Sequence, residues 1–268
     1  MKQRFNFFVC HGEEKRIQPK EPALPINTAS SKDFRINFIM QTNHLVTAAR
    51  RSLLFLMVAL LLGGGLSSAP ANTADQVASS AKEAKPIEVG TAAPDAGLRG
   101  LDGNDVTLHA IVAGKPTVLI FYRGSWCPYC NLHLSDLVTV EEELRSLGYQ
   151  IVAISPDRPE ELNKMTAADH LNYRLFSDPQ AEAMKKFGVA YQVDNTTLTN
   201  YKQKFNVDLE SSSGQTHHIL PVPAVFILDR GGKIVFVHAD PDYKVRMKGA
   251  EVLAAAKAAA TTSDALQN

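Results

Sequence analysis

The sequence predicts an α/β fold, a central mixed β-sheet flanked by helices, and three observations predict it. A strand-helix-strand-helix alternation fills residues 117–169. The carboxyl end reads as two apolar strands joined by a tight turn and followed by an Ala-rich helix. Between sheet and helix, the run Trp126-Cys127-Pro128-Tyr129-Cys130 falls where an apolar, β-favouring segment gives way to helical spacing. Strand-helix-strand first and hairpin plus helix last require a mixed sheet with helices on its faces.

Each element has a local reason. Asp102-Gly103 marks a hairpin between short strands at 96–101 and 106–108. Residues 117–122 form an apolar strand. The helix 128–147 carries Leu132, Leu134, Leu137, Val138, Val140, Leu144 and Leu147 near helical spacing, with Pro128 suited to its first turn and Gly148 as a stop. A strand at 150–154 leads to a helix at 159–169 opened by Asp157. A strand at 173–176 follows, and Asp178 caps a helix at 179–187 that Gly188 ends. In the long connection 190–221, Leu198, Tyr201, Phe205 and Val207 suggest a short amphipathic helix, and Ser211-Ser212-Ser213-Gly214 reads as flexible. Strands at 224–228 and 233–238, joined by Asp229-Arg230-Gly231-Gly232, precede the helix 251–260.

The amino-terminal part has another character. The unbroken apolar run 53–62 follows Arg50 and Arg51 and is followed by small residues ending in Ala69-Pro70-Ala71. That is the pattern of a secretory signal peptide, and it is short of the about 20 apolar residues of a membrane span. A cleaved signal at 40–71 is the expectation, with an uncleaved anchor as the alternative and the bacterial periplasm as the expected destination. Arg50-Arg51-Ser52-Leu53-Leu54 only partly matches a twin-arginine signal. Residues 1–39 are too long and polar for a normal lead, so they read as an extension or as sequence before a true start at Met40. Residues 72–86 read as a tether, 87–260 as the folded domain and 261–268 as a tail.

Of 268 residues, 28 are Lys or Arg and 28 are Asp or Glu, and after Ala71 the acidic residues outnumber the basic ones. No basic patch emerges, which argues against nucleic-acid binding. Of the three cysteines, Cys10 would leave with the signal, so Cys127 and Cys130 remain as an isolated pair. Such a pair indicates an active-site dithiol rather than a disulfide scaffold. Cys127 at the helix mouth meets unpaired N–H groups that favour the thiolate, lowering its pKa below about 8.5. Cys130, in the first turn on the same face, can attack a mixed disulfide at Cys127.

This order of elements resembles the thioredoxin fold; Trp126-Cys127 is similar to thioredoxin and Cys-Pro-Tyr-Cys to glutaredoxin. Further stretches are Val89-Gly90-Thr91-Ala92-Ala93-Pro94-Asp95, Ile154-Ser155-Pro156-Asp157 and Leu175-Phe176-Ser177-Asp178-Pro179 running on to Phe187-Gly188-Val189. Together they resemble the peroxiredoxin family that includes alkyl hydroperoxide reductase and thiol-specific antioxidant proteins. Phe121-Tyr122-Arg123-Gly124 is similar to a peroxiredoxin-like branch. The resemblance covers about residues 88–259. It implies that Cys127 attacks a small hydroperoxide to give a sulfenic acid, that Cys130 resolves it, and that a thioredoxin-like dithiol is the reductant. It implies no cofactor. Peroxiredoxins place Thr or Ser three residues before the attacking cysteine, where this chain has Gly124, and an Arg on a late strand, where it offers Pro223 or Ala224. Ser125 and Arg123 are the candidate substitutes. Protein thiol-disulfide exchange, with a disulfide-bearing protein as partner, is the competing expectation. It rests on the dithiol and on Pro223, read as the cis-proline of thioredoxin-like proteins. The acid that thioredoxins bury six positions before the first cysteine is replaced by Phe121.

Histidines 133, 217 and 218 invite a metal or redox-sensor reading. Zinc usually takes two Cys/His pairs and only one exists here; Asn131 after Cys130 excludes the haem-attachment motif. Copper-delivering relatives of the fold use a Cys-x-x-x-Cys, one residue longer. His217 is the histidine expected nearest the dithiol, and Trp126 and Tyr129 are packing platforms or partner contacts. Protein recovered from the producing cell is expected to begin near Asn72. Amino-terminal sequencing checks this, and retention of residues before Arg50 on the soluble form would refute it.

Overall fold

The computed structural model describes residues 76–169 and 171–265. The signal segment and the extension before it lie outside these residues. Among the described residues no helix is long and apolar enough to cross a membrane.

The strands are β1 (Gly97–Arg99), β2 (Asp105–Thr107), β3 (Thr117–Phe121), β4 (Gln150–Ser155), β5 (Arg174–Ser177), β6 (Ala190–Gln192), β7 (Ile219–Pro221), β8 (Ala224–Leu228) and β9 (Ile234–Ala239). The α-helices are α1 (Leu108–Val112), α2 (Pro128–Val138), α3 (Glu141–Ser146), α4 (Pro159–Asp169), α5 (Glu182–Lys186), α6 (Asn195–Phe205), α7 (Leu209–Ser213) and α8 (Gly249–Ala265). Seven strands make one sheet in the order β2-β1-β5-β4-β3-β8-β9, and β6 pairs with β7. The pairings β3–β4 and β4–β5 are parallel, whereas β3–β8 and β8–β9 are antiparallel. This is the mixed sheet expected, with β4 at its centre and β3 beside it.

All five residues of β3 are buried, as a strand covered on both faces must be. Its alternate side chains feed two cores. Val118 and Ile120 join Leu134, Leu137, Val225 and Val252 on the face of α2 and α8, where both cysteines also lie. Leu119 and Phe121 join Phe187 and Phe226 on the opposite face. There Phe121, Phe187 and Phe226 stack at centroid distances of 5.1 to 5.9 Å. Phe121 therefore points away from the dithiol.

Several expectations are corrected. The helix expected over 128–147 is two helices, because the β-branched run Val138-Thr139-Val140 interrupts it and the Thr139 hydroxyl takes the Asp136 carbonyl at 2.6 Å. The break frees the Asp136 carboxylate to accept the Gly249 N–H at 2.6 Å, which pins the start of α8 to α2. Ser211-Ser212-Ser213 is helical. Asp208 caps α7 through the Glu210 and Ser211 N–H groups, and Gly214 ends it at φ +72°. Asp157 does not serve as the cap of α4 but turns inward. The helix expected from 179 starts at Glu182 with Ala181 as its N-cap, and Asp178 reaches in from further back to accept the Glu182 and Met184 N–H groups. The stretch read as a tether is bound to the domain from Ala78, which exchanges backbone hydrogen bonds with β6 and is followed by a single 3-10 turn, Ala81–Glu83.

Candidate active site

β3 ends at Phe121, and residues 122–127 carry the chain from the sheet into α2. Cys127 is the N-cap of that helix and Pro128 its first residue; the Cys127 carbonyl accepts from the Cys130 and Asn131 N–H groups. Both sulfurs are enclosed: Cys127 is 1% exposed and Cys130 fully buried. They are nevertheless unlike. A hydrogen bond from the Cys130 thiol, with the Arg123 and Arg246 charges behind it, lowers Cys127 to about 6 despite its burial. Burial, and then the neighbouring Cys127, push Cys130 well above its ordinary range. At neutral pH the pair is therefore one thiolate and one thiol.

Each sulfur has its own arginine. Arg123 Nη1 lies 3.8 Å from Cys127 Sγ, and Arg246 Nη2 lies 3.5 Å from Cys130 Sγ. Arg123 is itself 2% exposed and is boxed by aromatic faces: Trp126 at 4.9 Å, Tyr201 at 5.4 Å and Tyr243 at 4.2 Å from its guanidinium carbon. It also donates through Nη2 to the Tyr201 hydroxyl. Trp126 and Tyr201 meet at 5.6 Å, and Tyr129 sits edge-on to Tyr243 at 5.8 Å. Trp126 and Tyr129 are thus walls of the site, with Tyr129 exposed on the outside.

The loop before Cys127 is fixed by Asp157. One of its carboxylate oxygens accepts the Ser125 N–H at 2.6 Å while the other is buried without a hydrogen-bond partner, and burial raises its pKa to about 7. The Ser125 carbonyl accepts from Asn131 Nδ2 at 2.9 Å. Gly124 adopts φ +147°, and a Cβ there would stand 2.4 Å from Trp126 Nε1 and 2.9 Å from Asp157 Oδ1. The peroxiredoxin hydroxyl position is therefore closed to any side chain.

Two expected site residues do not join the dithiol. His217 bridges loops, its Nε2 against the Pro179 carbonyl at 2.7 Å and its Nδ1 accepting the Ile219 N–H at 3.0 Å. Pro223 is at the dithiol end of the sheet, next to Ala224, which pairs with Phe121, but no cis peptide occurs among the described residues, so its bond is trans. His133 is buried and lowered to about 4 by that burial. Sequence reasoning missed Arg246, which lies 116 residues from Cys130 and carries no motif. It read Tyr201 only as part of a helix face. Asp240-Pro241-Asp242-Tyr243 forms a turn that sets Tyr243 over Arg123.

One thiol held ready to attack and a second placed to close on it is the arrangement of a dithiol oxidoreductase. The chain belongs to the AhpC/TSA family, whose model matches residues 89–237. Peroxiredoxin Bcp of Escherichia coli strain K12 is 31% identical over 104 residues, 39% of this chain and 66% of that protein's own length. Among solved structures, a peroxidoxin BcpB from Mycobacterium tuberculosis aligns with a TM-score of 0.50 at 19% identity, over 68% of this chain and 99% of that one. A peroxiredoxin-like protein from Aquifex aeolicus aligns with a TM-score of 0.51 at 20% identity, over 65% and 89%. These likenesses show the thioredoxin-like fold of peroxiredoxins.

Two outcomes are expected of the site. Arg123→Gln should raise the Cys127 pKa by about one to two units, because a hydrogen bond to a charged group contributes about 1.5–3 kcal/mol and one unit is about 1.4 kcal/mol. A pH titration of thiolate absorbance checks it. Gly124→Thr should lower stability by at least about 1–3 kcal/mol rather than improve peroxide reduction, since both backbone strain and a clash result. Urea unfolding beside a peroxide assay decides that.

Proposed function

We propose that the chain is a thiol peroxidase: Cys127 reduces a hydroperoxide, Cys130 resolves the product as an intramolecular disulfide, and a thioredoxin-like dithiol regenerates both. The carrying observation is the opposed protonation of two adjacent sulfurs, with a buried arginine on the ionised one. The thiolate attacks the terminal peroxide oxygen; the S–O bond forms and the O–O bond breaks. The alcohol leaves after taking a proton, and Cys127 is left as a sulfenic acid. Cys130 then attacks the oxidised sulfur and water departs. Because the sulfurs already touch across one helical turn, this closure needs no separation of α2 from the sheet.

Enclosure favours a small oxidant over a folded disulfide partner. Cys127 is 1% exposed beside an Arg123 that is boxed by Trp126, Tyr201 and Tyr243, and so closed a sulfur is more readily reached by a small molecule than by a protein loop. The trans Pro223 bond removes one of the supports of the protein-disulfide reading, the dithiol itself being common to both. The signal-like leader supports work in an exported compartment, with a reductant of that compartment.

Oxidation of Cys127 should quicken as pH rises through about 6 and level off above it, because the thiolate is the reactive form. Cys130→Ser should still consume one equivalent of peroxide and then hold a sulfenic acid at Cys127, visible by mass spectrometry after trapping with a dione reagent. If that variant reacts with peroxide no faster than free cysteine yet captures partner proteins as mixed disulfides, the peroxidase reading fails.

A further inference from the structure

We infer that the Tyr201 hydroxyl supplies the hydrogen bond to the bound peroxide that position 124 cannot. The inference rests on the peroxidase reading and deepens it by naming the residue that orients the substrate.

Position 124 is closed by geometry, since its Cβ would meet Trp126 Nε1 at 2.4 Å. Ser125, the neighbouring hydroxyl, is committed elsewhere: its N–H donates to Asp157 Oδ2 at 2.6 Å and its side chain also interacts with that carboxyl. A hydroxyl that does lie against Arg123 is that of Tyr201. It arrives from α6, a helix with no buried residue, and rests its ring on Trp126. Its oxygen accepts from Arg123 Nη2 while Arg123 Nη1 faces Cys127 Sγ at 3.8 Å, so one guanidinium spans the hydroxyl and the attacking sulfur. Burial raises the phenol to about 12, which keeps its proton in place at neutral pH. The oxygen accepts from arginine and the hydrogen is left to donate.

In the step this orients, the Cys127 thiolate attacks the terminal oxygen of ROOH, and that oxygen keeps its proton as the sulfenic acid. Sulfur loses two electrons and the peroxide gains them. The departing RO⁻ is held by the Tyr201 hydroxyl and Arg123 and takes a proton from water. Preorganised donors at a developing oxyanion act in this way. Tyr191 also interacts with Arg123. It is the competing hydroxyl.

The test compares Tyr201→Phe, Tyr191→Phe and the unchanged protein in two rapid-mixing reactions of the reduced full chain: oxidation by cumene hydroperoxide, and alkylation by iodoacetamide. Alkylation needs the thiolate and access to it, but no peroxide alignment. Tyr201→Phe keeps the ring and should slow oxidation about a hundredfold to a thousandfold, the loss expected for one such donor, while alkylation changes less than about twofold. Equal slowing of both reactions would mean that Tyr201 acts only through the thiolate, and would overturn the inference. An unchanged oxidation rate, or the selective loss appearing in Tyr191→Phe instead, would also overturn it. Fast alkylation with negligible peroxide reaction in the unchanged protein would instead refute the peroxidase reading itself.

Discussion

A buried guanidinium facing a buried sulfur is the interaction on which the site depends. Arg123 is almost wholly enclosed, and an unpaired charge in that position would cost several kcal/mol. Three aromatic faces and the Cys127 thiolate compensate it. The dependence is mutual, since the cation lowers the thiol and the thiolate justifies the cation. When the dithiol closes into a disulfide that counter-charge is lost. Stabilising the reduced form in this way shifts a dithiol toward being the stronger oxidant, which suits a centre that must be readily re-reduced.

The rest of the fold holds that pair in place. β3 delivers Arg123 and the cysteines from the middle of the sheet, buried on both faces, so the loop starts from a rigid base. Asp157, from the end of the parallel neighbour β4, ties the loop by the Ser125 N–H. Gly124 lets the backbone pass between Trp126 and that carboxyl. From the far side, the Asp136–Gly249 bond draws α8 onto α2, and the segment leading into α8 brings Tyr243 and Arg246 over the sulfurs. Residues distant in sequence thus share one small electrostatic centre.

The cover is built differently from the base. α6 buries no residue fully; Leu198, Tyr201 and Val207 pack against the small cluster of Val193, Leu209 and Leu220, with Tyr201 also on Trp126. An element held by so little apolar contact opens more easily than the sheet beneath it. In the proposed peroxidase cycle such an opening would admit first a peroxide and later a reducing dithiol to the buried Cys127.

The sequence by itself determined the mixed sheet, the strand that leads to the dithiol, and Cys127 at the helix mouth, because those follow from local periodicity, punctuation by Gly and Pro, and a short motif. It also named Arg123 as a candidate cation, and that side chain stands 3.8 Å from the Cys127 sulfur. Where it erred, a local rule lost to a contact made elsewhere. Asp157 looked like a helix cap but is taken by Ser125, His217 looked like a site residue but braces two loops, and the helix after Cys130 breaks at a β-branched run whose consequence appears only when α8 packs. Tertiary structure alone decided that Arg246, Tyr201 and Tyr243 meet at the sulfurs. Spacing of 116 residues between Cys130 and Arg246 leaves no pattern to read; only burial, which obliges each charge to find its partner, brings them together.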